Sequence, residues 1–260
     1  MTKKRIIYYA DEHNDDFAEN HIHKSTVGKT FPYMRTSLLW NGIAFIVYYL
    51  IAIPIAFVIS KVYLGLRFKN KPSLKEIGKQ GFYLYGNHTR HLDAFVPALA
   101  AFPRKAYVIA NADAVSIPFL KNIVMMVGAI PIPTEAGGVR GFLKTVSVRY
   151  RRGSCVAVYP EAHIWPFYTG IRDFPDTSFK YPVKESAPVV AMVTTYRKRK
   201  GLFRLAKRPG MTVEFSEPFF PEKGLSVKEA QKDLRDKAYD FMKRVSENSE
   251  NIEYIRYVKI

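Results

Sequence analysis

A single cysteine in 260 residues excludes an internal disulfide and a thiolate metal cluster. Acidic residues are scarce. The 23 Asp and Glu stand against 40 Lys and Arg, for a formal charge of +17 at pH 7. So basic a chain calls for an anionic partner: phospholipid, nucleic acid or a phosphorylated substrate. No internal repeat and no low-complexity tract is present, so solenoid and fibrous architectures drop out. Apolar and aromatic residues are not lacking. They reach 48% and include 18 Phe and 17 Tyr, which excludes wholesale disorder. The length suits one sizeable domain plus something smaller, large enough to bury a full core without staples.

Charge is absent altogether from residues 38–59, a run of 22 residues in which only Asn41 is strongly polar and Gly42 and Pro54 are the breakers. As a helix this run is about 33 Å long, enough to cross a hydrocarbon core of about 30 Å. It starts too late for a signal peptide and lacks a small-x-small cleavage site, so it reads as a retained membrane segment, with a buried core helix as the alternative. Pro54 leaves two geometries open, one kinked spanning helix or a helical hairpin in one leaflet. Lys61, Arg67, Lys69, Lys71 and Lys75 follow the segment with only Glu76 opposing them. The preceding flank mixes Lys24, Lys29 and Arg35 with Asp15, Asp16 and Glu19. The positive-inside bias therefore places the C-terminal domain on the cytoplasmic face.

The chain divides into a polar tail (1–37), expected to be loosely ordered, the membrane segment (38–66), and an α/β domain (67–260). The tail holds His21 and His23 as H-x-H, without the third ligand a metal site needs. In the domain, apolar runs at 82–85, 106–110, 129–132, 154–159, 189–195 and 212–215 read as strands, spaced to leave room for helices between them. Ser226 and Glu229 form a capping-box pattern. Behind them Val227, Ala230, Leu234, Ala238, Phe241 and Val245 make one apolar stripe of a surface helix.

Two strand ends carry chemistry. The run 82–85 leads into Gly86-Asn87-His88-Thr89-Arg90-His91-Leu92-Asp93, and ligands bind at strand ends in open α/β sheets. Asp93 is close enough to fold back on the His88 imidazole, fix its tautomer and raise the basicity of its other nitrogen. No Ser or Cys sits in a nucleophile elbow, so the nucleophile falls to a substrate hydroxyl. A capped surface loop with two exposed His fits the same spacing. The run 154–159 ends in Tyr159-Pro160-Glu161-Ala162-His163. Glu161 reads either as an acceptor for substrate hydroxyls or as a turn cap. His163 reads as a packing residue or a phosphate contact. Trp165 and Phe167 either line the cleft or pack beneath the following loop. Cys155 is a small buried hydrophobe.

Asn87 to Asp93 resembles the N-H-x4-D motif of the glycerolipid acyltransferases, the lysophosphatidic acid acyltransferase family. Ile117-Pro118-Phe119-Leu120 with Gly128-Ala129-Ile130-Pro131-Ile132 resembles the family's second block. Tyr159-Pro160-Glu161 matches the start of its third, Ala187-Pro188-Val189-Val190 resembles its fourth, and Thr212 to Pro218 is similar to its terminal strand. The blocks run in family order over residues of about 80–220. The resemblance implies a single acyltransferase-like α/β domain, a mixed central sheet flanked by helices, behind a membrane helix or hairpin. It implies His88 as general base and Asp93 as its orienter, with Asn87 and Glu161 at the substrate. An acyl thioester, acyl-CoA or acyl-carrier protein, is the cosubstrate, and neither metal nor cofactor is required.

The sequence departs from the family at two arginines that hold the acceptor's phosphate, where it has Thr134 and Ile164. Either other cations replace them, with Arg140, Lys144 and Lys180 the candidates alongside His163, or the acceptor is a lysolipid held otherwise. Lysophosphatidate is the leading expectation. The run 197–208, with seven cations in twelve residues and Leu202, Phe203 and Leu205 interleaved, reads as a hairpin tip against anionic lipid, with a solvated charged turn or a nucleic-acid contact as the alternatives. The expected partners are the bilayer and its anionic surface, the acyl donor and the lysolipid acceptor, with no nucleic acid. A metal-dependent hydrolase using His88, His91, Asp93 and His163 and an inactive membrane- or nucleic-acid-binding module are the competing classes.

Overall fold

The apolar runs become strands of one seven-stranded sheet in the computed structural model, which describes residues 5–17, 25–71, 73–117, 119–204, 206, 208–248 and 250–260. In chain order the elements are β1 (Arg5–Tyr9), α1 (Leu38–Leu64), β2 (Arg67–Lys69), β3 (Phe82–Gly86), α2 (Val96–Ala101), β4 (Ala106–Ala110), α3 (Leu120–Met126), β5 (Ala129–Pro131), α4 (Val139–Arg151), β6 (Cys155–Val158), α5 (Lys180–Glu185), β7 (Val189–Arg197), β8 (Gly210–Phe215), α6 (Val227–Ser246) and β9 (Ile255–Lys259). The sheet order is β2-β8-β7-β3-β6-β4-β5, and β7 with β8 is its antiparallel pair. The expected mixed α/β sheet is therefore present. Strand β3 lies between β6 and β7, so the loop that follows it emerges at mid-sheet. Strands β3 and β6 are buried throughout, without alternation, because helices cover both faces.

The two faces differ. Leu84, Cys155, Ala157, Val190 and Met192 pack under α1 and α2. Tyr83, Tyr85, Val156, Val158 and Ala191 pack under α4, α5 and α6. The last helix matches expectation except at Val227, which is exposed in the first turn: the Ser226 backbone N–H donates to Glu229 Oε2 at 2.9 Å, and Leu234 and Ala238 are fully buried.

Helix α1 runs unbroken for 27 residues, so the hairpin geometry does not occur. Its turns are wide, π-helical, at Ile46–Ala52 and Ile59–Leu64, and Pro54 enters just after the first wide stretch. Widened turns are where a helix absorbs a missing N–H donor. The helix lies along the domain. Ala44, Tyr48, Ala56, Ser60 and Leu64 are buried at intervals of four or eight, while Leu39, Phe45, Leu50, Ile55, Phe57 and Val58 are exposed. The Tyr48 hydroxyl accepts from the Ala106 backbone N–H at 2.9 Å, and the Tyr49 hydroxyl donates to the Pro103 carbonyl at 3.0 Å. Arg199 donates to the carbonyls of Val62, at 3.1 Å, and Tyr63, and Arg197 to that of Gly65. The basic run thus caps the C-terminal end of α1, where helix carbonyls lack intrahelical partners.

The expected loose tail is corrected by the structure over residues 5–17 and 25–37. Strand β1 pairs in parallel with β9, from Arg5 opposite Ile255 to Tyr9 opposite Lys259. Val27 is fully buried in a cluster with Ala112 and Val115, with Phe31 and Tyr33 packed against it. The composition of the tail is polar on average, but Tyr9 and Phe17 pack on Trp165, and Val27, Phe31 and Tyr33 pack on the domain, while Ile6 and Tyr8 stay exposed. His21 and His23 lie outside the described residues.

Candidate active site

Gly86 ends β3 against Met192, whose Cε lies 2.6 Å from where a Cβ at this position would sit, so any side chain there would force Met192 to move. Past it, Asn87 is fixed to β7. Its Nδ2 donates to the Thr194 carbonyl at 3.0 Å and its Oδ1 accepts the Thr194 N–H at 2.8 Å. Asn87 is thus a buried bridge between strands and does not line the cleft.

His88 comes next. Its backbone N–H donates to Glu161 Oε2 at 3.1 Å. Its ring stacks on Tyr159, with centroids 4.4 Å apart and planes 22° apart. Its Nδ1 lies 3.5 Å from Asp93 Oδ2. That carboxylate is buried and held from behind. Oδ2 accepts the backbone N–H groups of Thr89 at 2.7 Å and Arg90 at 2.8 Å, while Oδ1 has no partner. The turn at His91–Phe95 brings Asp93 round to the imidazole, the fold-back that the five-residue spacing allows. Tyr159 completes the support by donating from its hydroxyl to the Asp93 carbonyl at 2.6 Å. Burial pushes the Tyr159 hydroxyl well above its ordinary pKa, so it remains a donor.

His88 and His91 open onto a cleft of about 530 Å³, whose walls include Asp16, Asp113, Tyr159 and His163. His163 Nδ1 lies 3.4 Å from Asp16 Oδ2. Among the described residues lining this cleft there is no Lys or Arg. Ile132, Ile117, Val158 and Ala110 give it an apolar side.

Glu161 faces inward. Oε1 accepts the Arg172 backbone N–H at 3.1 Å, and Oε2 takes both the His88 N–H and the Arg172 guanidinium at 3.2 Å. Burial raises its pKa, and Arg172 opposes that rise. Arg172 is itself buried. It also donates to the carbonyls of His163 and Glu12, and it sits 4.8 Å over the Trp165 ring. The indole is fully buried, stacked on Tyr257 at 5.0 Å, and its N–H donates to the Asp15 carbonyl at 2.8 Å. Trp165 therefore packs beneath the tail and does not line the cleft. Phe167 packs against Tyr196 and under the Arg90 guanidinium. The sequence pattern singles out neither Arg172 nor Tyr159 for a role. Tyr159 could have been found from its place at the strand end, whereas Arg172 carries no local signal.

Thr134 holds the N-terminal segment. Its Oγ1 accepts the Val27 N–H at 2.9 Å, and its own N–H donates to the Val27 carbonyl at 3.1 Å. Ile164 lies in the cleft wall. Arg140, Lys144 and Lys180 are brought together, but in a second cavity on the α4–α5 side, not beside His88. Cys155 is buried in β6, and burial pushes its thiol far up in pKa.

The Acyltransferase family model matches residues 66–214, more than half of the chain. The chain belongs to the acyltransferase family. The matched span carries His88, Asp93 and Glu161 and ends in β8. Among solved structures, this acyltransferase resembles the 1-acyl-sn-glycerophosphate (LPA) acyltransferase PlsC from Thermotoga maritima, with a TM-score of 0.53 and 17% identity. The likeness covers 80% of this chain and 92% of the other, and establishes a common fold. No curated protein matches the sequence.

Proposed function

We propose that this acyltransferase is a membrane-bound enzyme that moves an acyl chain from an acyl thioester to a lysolipid hydroxyl, with 1-acyl-glycerol-3-phosphate as leading acceptor. The observation that carries the reading is His88, set in the cleft wall with Nδ1 towards a buried carboxylate that is anchored from behind. Asp93 orients the ring and stabilises its charged form, leaving Nε2 for the substrate. Nε2 takes the proton of the acceptor hydroxyl, and that oxygen attacks the thioester carbonyl. The C–S bond breaks, and the imidazolium returns its proton to the departing thiolate. The products are an ester and a free thiol. A 3.5 Å contact is long for a hydrogen bond, and catalytic contacts of this kind tighten when substrate binds.

Membrane attachment is supported by the exposed side of α1, which continues into Phe102, Phe119, Leu120 and Ile123, all large, apolar and exposed. Single exposed apolar residues are ordinary, but a contiguous patch of this extent marks a membrane or protein contact. Because α1 is docked on the domain at both ends, its open side faces the lipid while its other side belongs to the core. The capping arginines and Lys61, Arg67 and Lys200 line one small basic cavity at its end, suited to anionic headgroups.

One observation favours a second acceptor. The cleft presents Asp16 and Asp113 and, among the described residues, no Lys or Arg. Such walls favour a lysolipid gripped by its glycerol and acyl chain, or one without a phosphate. The test is purified protein in vesicles with acyl-CoA and a panel of lysolipids, read by product mass. A diacyl product with stoichiometric thiol release supports the reading. Release of free fatty acid with no acylated lipid overturns it.

A further inference from the structure

The cavity holding Arg140, Lys144 and Lys180 is a groove of about 730 Å³ between α4 and α5, with Arg151 and Lys184 also in its walls. Val139, Leu143 and Val146 give it an apolar side. Glu185 is the carboxylate among the lining residues, and it is already engaged, by Arg151 at 2.8 Å and by the Ser147 hydroxyl at 2.6 Å. Arg140, Lys144, Lys180 and Lys184 have no ion-pair partner among the described residues.

Stability does not account for this cluster. Arg140 with Lys144, and Lys180 with Lys184, are like charges at i and i+4 on helices that face one another, a spacing that destabilises a helix. At the base of the groove, Tyr83 is fully buried and its hydroxyl has no hydrogen-bond partner. A buried hydroxyl without a partner is costly and calls for a ligand or ordered solvent. The groove is thus a concave, cationic site with an apolar side and an unmet hydroxyl.

Its position narrows the kind of occupant. Helices α4 and α5 each precede a strand of the parallel part of the sheet, so their N-terminal ends lie at the edge where the His88 loop emerges. Tyr181, at that end, lines both the groove and the His88 cleft. The groove lies on the sheet face opposite α1. When the apolar side of α1 is in lipid, this face is turned to water, so a membrane headgroup does not reach it. A ligand that fits these walls is soluble and polyanionic with an apolar part, and Tyr181 gives it a route to the catalytic cleft.

We propose that this groove binds the nucleotide end of a coenzyme A thioester, its phosphates on Arg140, Lys144, Lys180 and Lys184 and its adenine against the apolar side. The thioester arm then passes Tyr181 to reach His88. The inference rests on the acyl-transfer reading and adds the donor's identity and approach. Lipid acceptor enters from the α1 face and soluble donor from the opposite one, so the two substrates do not compete for one entrance.

The experiment compares wild type with the Lys144→Glu/Lys180→Glu double variant in vesicles, using acyl-CoA and the matching acyl-N-acetylcysteamine thioester, which lacks the nucleotide. Each change replaces one member of a like-charge pair, so the fold is retained, checked by melting temperature. The double variant is expected to raise KM for acyl-CoA at least tenfold. KM for the lysolipid and kcat/KM for the truncated thioester should stay within about twofold. CoA binding measured by equilibrium dialysis without turnover should weaken at least tenfold, with 3′-phosphoadenosine 5′-diphosphate competing and inorganic phosphate at the same concentration not competing. If the variant loses CoA binding while wild type transfers no acyl group, the groove assignment stands and the acyl-transfer reading falls. A rise in KM for the lysolipid instead, equal losses with both thioesters, unchanged CoA binding, or a KM increase confined to acyl-carrier protein would each overturn the assignment.

Discussion

Replacing Glu161 by Gln separates two roles for this residue. In the structure its carboxylate accepts three donors, the N–H groups of His88 and Arg172 and the Arg172 guanidinium. A glutamine offers one oxygen and must turn an NH2 towards at least one of those donors. A buried donor left unmet costs about 1–3 kcal/mol. Loss of the carboxylate also leaves the buried Arg172 charge without its counterion, and breaking such a pair costs about 3–5 kcal/mol. The effects overlap, so the expected destabilisation of Glu161→Gln is about 3 kcal/mol, or about 6–12 °C in melting temperature for a chain of this size. Because the lost contact is to the His88 backbone, kcat should fall tenfold or more while KM for both substrates changes less than about twofold. Calorimetry and steady-state kinetics on the same preparation measure both. A normal melting temperature with a raised acceptor KM would mean that Glu161 touches the substrate, and the positioning role would be refuted.

Three further outcomes are expected. Burial and the nearby Arg149 lower the Lys105 pKa from 10.5 to about 8, so between those values the unfolded chain binds more protons than the folded one. Stability from this group therefore rises as pH goes from about 8 towards 10, by up to about 3 kcal/mol, and urea melts of wild type against Lys105→Met should show that slope only in wild type. Deleting residues 1–17 uncovers the Trp165 indole, so in a Trp40→Phe background its emission should shift to the red and become quenchable by iodide, whereas unchanged emission would contradict the packing of the tail over Trp165. Exchanging Leu39, Leu50 and Phe57 together for serine, all on the open side of α1, should release the protein from vesicles without lowering its melting temperature; vesicle binding that persists in high salt would remove α1 from the membrane contact.

Much of the domain was legible because its central strands are apolar runs buried on both faces. The runs expected at 82–85, 154–159 and 189–195 became Phe82–Gly86, Cys155–Val158 and Val189–Arg197. The edge strands β1, β2 and β9 were not, since Arg67–Lys69 alternates charge with a single Phe and β1 and β9 depend on each other across the whole chain. His88 and Asp93 were legible for a local reason: five residues and one turn bring them together. The buried Glu161–Arg172 pair joins residues across an irregular loop, and Trp165 meets Asp15 at a separation of 150 residues, where no periodicity carries information. The basic residues were visible, but their sorting was not. Only the topology shows that Arg197 and Arg199 cap α1 while Arg140, Lys144 and Lys180 gather on the opposite face of the sheet.

The most direct measurement is single-turnover transfer by wild type, His88→Ala and Asp93→Asn, with saturating acyl-CoA and lysolipid in vesicles and the diacyl product quantified by mass. A positioned general base contributes about 10²–10⁴-fold. His88→Ala should lose a factor in that range, and Asp93→Asn most of it, with vesicle binding intact in both. Transfer by His88→Ala at more than a few per cent of the wild-type rate would contradict the assignment of His88 as the base.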